Sequence, residues 1–162
     1  MERRDKINYY LDIAETVLER ATCLRRKFGA IIVKNDEIVS TGYTGAPRGR
    51  ANCVDLGYCT RDKLNVPKGQ RYELCRSVHA EANAIISASR NELIGATLYL
   101  ACHDAKADMI DGDVNSCSMC KRLIINAGIK TVYVRVTKDT YKKTDVSSWV
   151  EDDDSLNNNQ GY

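Results

Sequence analysis

The sequence predicts an α/β protein in which a mixed sheet is covered by helices. Three observations predict it. Apolar positions with a helical period alternate along the chain with short apolar, β-branched runs, in the order helix, strand, strand, helix, strand, helix, strand. A helix separates the last two strands, as the crossover of a parallel pair requires. The chain has 162 residues, 43% of them hydrophobic, enough for one domain with its own core. That domain is expected over residues 1–150. The acidic, asparagine-rich stretch 151–162 is expected to be a disordered tail.

The elements follow in order. Ile7, Tyr10, Leu11, Ala14, Val17, Leu18 and Ala21 recur at steps of three and four, which predicts an amphipathic helix of about four turns. Phe28 to Val33 reads as a strand, Lys34-Asn35-Asp36 as a turn, and Ile38 to Gly42 as the returning strand of a hairpin. Tyr43 to Cys75 shows no clear period and holds Pro47, Pro67 and three cysteines. So long a loop is unusual in a compact domain and needs something other than a core to hold it. Val78, Ala82, Ile85, Ile86 and Ser89 predict a second helix. Ala96 to Ala101 reads as a buried strand, and Cys102 to Asn115 as an acidic loop. Cys117 to Ala127 reads as a third helix stopped by Gly128. Thr131 to Val136 is β-branched and reads as the last strand.

Composition narrows the function. The formal net charge is +2, with the basic excess in the first ninety residues. Arg25, Arg26, Arg48, Arg50, Arg61 and Lys68 are scattered rather than striped. They could attract a phosphorylated small molecule or simply form a solvated basic face, and they are a weak footprint for long nucleic acid. The seven cysteines are odd in number, the opening Met-Glu-Arg-Arg-Asp is polar, and no apolar run is long enough for a membrane span. A disulfide framework is therefore not expected, a cytoplasmic location is, and clustered cysteines in a reducing compartment point to metal.

Two short patterns carry the chemistry. His79-Ala80-Glu81 opens the second helix, and Cys117-Ser118-Met119-Cys120 opens the third, with Ser116 placed to cap it. Cysteines three apart share a helix face, and the helix N-terminus favours thiolate. A lone CxxC is more often a redox pair or half of a structural zinc site, and a lone helical histidine is usually packed or exposed. An HxE opening one helix and a CxxC opening another, with a strand between, is the signature of a zinc deaminase. His79, Cys117 and Cys120 then hold a catalytic zinc with its fourth position open to water. Glu81 is read as the acid/base that moves protons between that water, the base ring and the departing ammonia. Cys102 and His103 are read as loop or packing residues.

Four segments resemble the deoxycytidylate deaminase branch of the cytidine deaminase-like superfamily. They are Gly29-Ala30-Ile31-Ile32-Val33, the loop Ser40 to Gly49 with its GYxGxPxG pattern, His79-Ala80-Glu81-Ala82-Asn83-Ala84-Ile85, and Cys120 to Lys130. The resemblance implies a three-layer α/β/α sandwich and zinc-dependent hydrolysis of dCMP to dUMP and ammonia. It also implies a homo-oligomer, often a hexamer, activated by dCTP and inhibited by dTTP. It places Thr44 at the sugar, the Ala80 backbone at the base edge, Arg90 near the phosphate or a subunit contact, and Ser116 beside the substrate. Three departures stand out: Thr44 where the family commonly has Asn, Ser116 where it has proline, and the acidic insert Asp104 to Asp113, expected to cover or alter the entrance. Cys23 and Cys53 resemble two ligand positions of a second, structural zinc found in some relatives. Cys59 and Cys75 could complete a closed site of four thiolates that staples the long loop, or all four could be small buried hydrophobes. The alternative activities are deamination of another nucleoside, nucleotide or RNA base, or a non-catalytic zinc protein of the same fold. Glu81 argues against the last, since a structural zinc needs no adjacent acid.

Overall fold

Asp5 starts the first helix, its carboxylate accepting the backbone N–H of Asn8 at 3.0 Å. The computed structural model describes residues 1–156. Helix α1 (Lys6–Leu18) leads into β1 (Arg26–Lys34) and β2 (Glu37–Tyr43). Two short helices follow, α2 (Cys53–Leu56) and α3 (Thr60–Lys63), then α4 (Ala80–Ile86) and α5 (Arg90–Leu93). The second half runs β3 (Thr97–Asp104), β4 (Met109–Ile110), α6 (Ser118–Ala127), β5 (Thr131–Arg135), β6 (Tyr141–Asp145) and α7 (Ser147–Glu151).

The strands form one mixed sheet in the order β2-β1-β3-β5-β6, with β4 paired to β3. β3 and β5 are parallel, as the intervening helix predicts, and the other pairs are antiparallel. Alternation along the strands separates two cores. Ile31, Val33, Tyr99 and Ala101 pack under Tyr10, Leu11, Ala14 and Leu18 of α1. Ala30, Ile32, Leu98, Leu100, Val132 and Val134 face the other way, against Ala80 and Ala84 of α4 and Ile124 of α6. Helices on both faces of one sheet make the α/β/α sandwich. Arg135, fully buried, ties α1 to β5 through Asn8, Asp12 and Glu15.

Several local expectations need correction. The long segment after Tyr43 folds into α2, α3 and a 3₁₀ turn at Tyr72–Leu74. The second helix ends at Ile86, short of Ser89, which instead forms a capping box with Glu92 and starts a separate helix, α5. Cys102 to Asp104 are strand, not loop, and the acidic insert folds back as a hairpin. The Asp104 carboxylate accepts the N–H groups of Lys106 and Ala107, both at 2.8 Å, which fixes the turn. β6 and α7 were unforeseen: Tyr-Lys-Lys-Thr-Asp is an exposed edge strand with no apolar alternation. Residues 157–162 of the expected tail lie outside the described residues.

Candidate metal centre and active site

Two helix beginnings meet over one end of the sheet. His79 is the N-cap of α4 and Cys117 the N-cap of α6, so Ser116 does not cap that helix as expected. The Sγ atoms of Cys117 and Cys120 each lie 3.5 Å from His79 Nδ1. Zinc bonds of about 2.3 Å to sulfur and 2.0–2.1 Å to nitrogen, at a tetrahedral angle, separate sulfur from nitrogen by about 3.5 Å. Both sulfurs therefore already stand from the imidazole nitrogen at the spacing that zinc requires. Among the described residues His79, Cys117 and Cys120 are the one group of three or more His, Cys, Asp or Glu whose ligand atoms lie within 4.8 Å of one another.

The electrostatics fit the same ion. A hydrogen bond from Cys120 draws the Cys117 thiol down to about 4, against the cost of burial and with help from His79. The same bond, together with burial, pushes Cys120 up. Burial opposes a charged His79, but hydrogen bonds to Cys117 and Cys75 and the charge of Glu81 outweigh it and raise the imidazole to about 11. A cation is wanted between these groups, and a metal displacing their protons would supply it.

Glu81, two residues into α4, is 3% exposed. Burial pushes its carboxyl above the ordinary range. Ser116, misread as a cap, donates its hydroxyl to Glu81 Oε1 at 2.8 Å. One cavity holds Glu81, His79 and Cys117 together with Thr44, Phe28 and Asn115. Gly45 and Val78 exchange backbone hydrogen bonds of 3.2 and 2.7 Å, pinning the Thr44 loop to the residue before His79. Asn83 holds the same loop by donating to the Tyr43 carbonyl at 2.8 Å. The Thr44 Oγ1 is buried and has no hydrogen-bond partner among the described residues, the state of a group placed to meet a ligand. Ala80 is buried in the first turn of α4.

Other expected site residues lie apart. Arg90 is exposed and donates to the Asn126 carbonyl at the far end of α6, about 13 Å along the helix from Cys117. Among the described residues, no three of Cys23, Cys53, Cys59 and Cys75 have their Sγ atoms within 4.8 Å of one another, although Cys23, Cys59 and Cys75 all stand near enough to act on the charge of Cys53. Each thiol faces another group or the cavity. Cys53 Sγ lies 4.0 Å from Ser77 Oγ, Cys23 Sγ accepts the N–H of Arg25 at 3.4 Å, and Cys75 bonds the His79 ring. Cys59 lines the cavity with Cys23 and Cys75. The hairpin insert reaches the neighbouring recess through Asp104, Ala105 and Lys106, not the cavity itself. Phe28, Tyr72, Arg61 and Asn115 also line the cavity, and no motif marked them in the sequence.

Residues 4–136 match the family described as the cytidine and deoxycytidylate deaminase zinc-binding region. The deoxycytidylate deaminase of Mycobacterium phage D29 is 38% identical over 137 residues, covering 82% of this chain and 95% of its own. That of Schizosaccharomyces pombe is 32% identical over 77% of this chain, which spans 35% of the yeast protein. Among solved structures, the dCMP deaminase of cyanophage S-TIM5, in complex with dCMP and dUMP, superposes with a TM-score of 0.58 at 27% identity, covering 83% of this chain and 84% of its own.

Proposed function

Because the chain belongs to the cytidine and deoxycytidylate deaminase zinc-binding family, we propose that it hydrolyses dCMP to dUMP and ammonia. The observation that carries this is the set of three zinc donors gathered within 4.8 Å of one another with a buried carboxyl beside them. When bound there, zinc supplies Lewis acidity that makes water a nucleophile near neutral pH. Glu81 takes a proton from the attacking water and delivers it to the ring nitrogen next to the reacting carbon. It then moves a second proton to the amino group, which leaves as ammonia as the carbon–nitrogen bond breaks and a carbonyl remains. Burial makes Glu81 basic enough to accept a proton, and the Ser116 hydroxyl on Oε1 orients it and leaves the other oxygen to exchange protons. Thr44 meets the deoxyribose with its unspent hydroxyl, the Ala80 backbone meets the base edge, and the walls of Phe28 and Tyr72 exclude water from the ring.

Arg90, standing on the surface away from the cavity, suits a subunit contact of a homo-oligomer better than a substrate phosphate. Regulation by dCTP and dTTP belongs to the same reading. None of the helices among the described residues is long and apolar enough to cross a membrane. The seven free cysteines support a cytoplasmic setting. The test is deamination of dCMP, CMP, deoxycytidine and RNA by the zinc-loaded protein, followed by absorbance with and without dCTP and dTTP. The preferred substrate is expected to be dCMP, and a preference for RNA or free deoxycytidine would overturn the assignment. Sedimentation of the same sample reads the oligomer.

A further inference from the structure

Five tyrosines form one unbroken row across the α1 face of the sheet. The ring centroids of Tyr9 and Tyr10 are 5.1 Å apart, those of Tyr10 and Tyr99 5.0 Å, Tyr99 and Tyr133 5.3 Å, and Tyr133 and Tyr141 5.4 Å. Each spacing is that of rings in direct contact. The row runs from α1 through β3 and β5 to the edge strand β6. Its ends are open, Tyr9 being 50% and Tyr141 38% exposed, and its middle is closed, Tyr10 being 5% and Tyr99 6% exposed.

Packing alone does not call for this composition. A buried phenol must find a partner for its hydroxyl, which phenylalanine would not need. The chain has nine tyrosines and one phenylalanine, yet five of the tyrosines stand here, while Phe28 packs into the core on the opposite face. What tyrosine has and phenylalanine lacks is an easily oxidised ring with a removable proton. At Tyr10 that proton has a destination. The Tyr10 hydroxyl lies 2.6 Å from Asp36 Oδ1, the length of a charge-assisted bond, and the other carboxylate oxygen meets Lys6 Nζ at 3.1 Å. Bonds from Tyr10 and Lys6 hold Asp36 below the usual carboxylate range, so it stands as the anion.

We propose that this row is a one-electron redox site, which takes an electron vacancy from an oxidant at the surface and holds it at Tyr10. A one-electron oxidant such as the carbonate radical anion removes an electron from exposed Tyr9 or Tyr141 and becomes carbonate. Electrons then hop from ring to ring, because tunnelling falls off steeply with distance and these rings touch. Loss of an electron makes the Tyr10 phenol strongly acidic, and its proton passes to Asp36 Oδ1 along the existing hydrogen bond. The products are a neutral Tyr10 phenoxyl radical and a protonated Asp36. A thiolate that gives back one electron, while Asp36 returns the proton, restores the phenol and leaves a thiyl radical. The vacancy stays on the α1 face, with the sheet between it and α6, which carries Cys120.

The test uses the full chain with a photogenerated ruthenium tris-bipyridine oxidant, and reads the trapped radical by electron paramagnetic resonance. The wild type is expected to give a phenoxyl signal that forms more slowly in deuterium oxide, since a proton moves with the electron. Tyr10→Phe and Asp36→Asn should each lose most of that signal. Asparagine tolerates the left-handed backbone at position 36, where φ is 64°, so the turn survives the second change. Tyr9→Phe combined with Tyr99→Phe leaves Tyr10 and Asp36 in place, removes both neighbouring phenols, and should also lose the signal. An undiminished signal in Tyr10→Phe or Asp36→Asn would overturn the site. An undiminished signal in the double variant would overturn the row as the path that feeds it.

Discussion

Glu81 and Ser116 form the unit on which turnover depends. Glu81→Gln keeps the shape of the site and removes the proton carrier. It is expected to retain zinc by elemental analysis and to lose about 10³-fold or more in kcat; full activity would refute the proton-transfer role. Ser116→Ala tests the finer point. The Ser116 hydroxyl favours the carboxylate form of Glu81, against the burial that raises its pKa. Removing it should raise that pKa further, and Glu81 must be ionised to take the first proton. The acidic limb of the kcat/KM profile should therefore move to higher pH, and an unmoved limb would show that Ser116 does not tune the acid. At this scale the sequence was readable where residue types are scarce: His79, Glu81, Cys117 and Cys120 stand in two spaced motifs whose chemistry has few other uses. Ser116 was seen and misread because a helix-capping serine and a serine bonded to a distant carboxylate look alike in one dimension. Arg61 was one arginine among many, and its burial against the Tyr72 ring shows only once the chain is folded.

The elements hold the site through close approaches. Gly42 on β2 packs against the first turns of α4, where a Cβ would lie 2.3 Å from the Ala80 carbonyl oxygen and 2.4 Å from the Ala84 nitrogen. Gly42→Ala must push α4 outward. It is expected to cost about 3 kcal/mol by denaturant unfolding and to lower zinc content, because His79 and Glu81 ride on that helix. On the other face, the Tyr10 hydroxyl of α1 donates to Asp36 Oδ1 at 2.6 Å in the β1–β2 turn. Burial, reinforced by the hydrogen bond to Asp36, raises Tyr10 to about 12. The folded state thus keeps a proton that the unfolded chain releases near 10. The linked stability is complete below pH 10 and is lost as pH climbs toward 12. Tyr10→Phe should cost about 1 kcal/mol at neutral pH and flatten part of that alkaline decline, leaving the part due to Tyr99, which burial also raises to about 12. The periodic elements were legible because burial on one face imposes a period. β6 and the insert hairpin were not, since an edge strand such as Tyr141–Asp145 needs no apolar alternation, and the hairpin is set by one aspartate turn.

For the whole molecule, the order of strands was deducible only in part. The helix between β3 and β5 announced their parallel pairing, but nothing in the residues said that β1 would pair with β3 on its other edge. That neighbour relation is fixed by packing both faces at once. The metal count tests the assembled structure most directly. The one donor group preformed among the described residues predicts one zinc per folded chain by elemental analysis. A second tightly held equivalent, lost on Cys53→Ser, would instead show that Cys23, Cys53, Cys59 and Cys75 close on an ion.

His79 and Cys120 are remote along the backbone and adjacent in space, so an ion shared between them is a removable cross-link. It encloses the intervening β3 and its hairpin in a ring, much as a bridge between sulfurs would, except that its strength is set by the surroundings of the cell. Above saturation, each tenfold rise in free zinc adds about 1.4 kcal/mol to unfolding. The melting temperature should therefore climb with the logarithm of zinc and fall under a chelator, which makes the supply of one trace element a control on how long this chain stays folded.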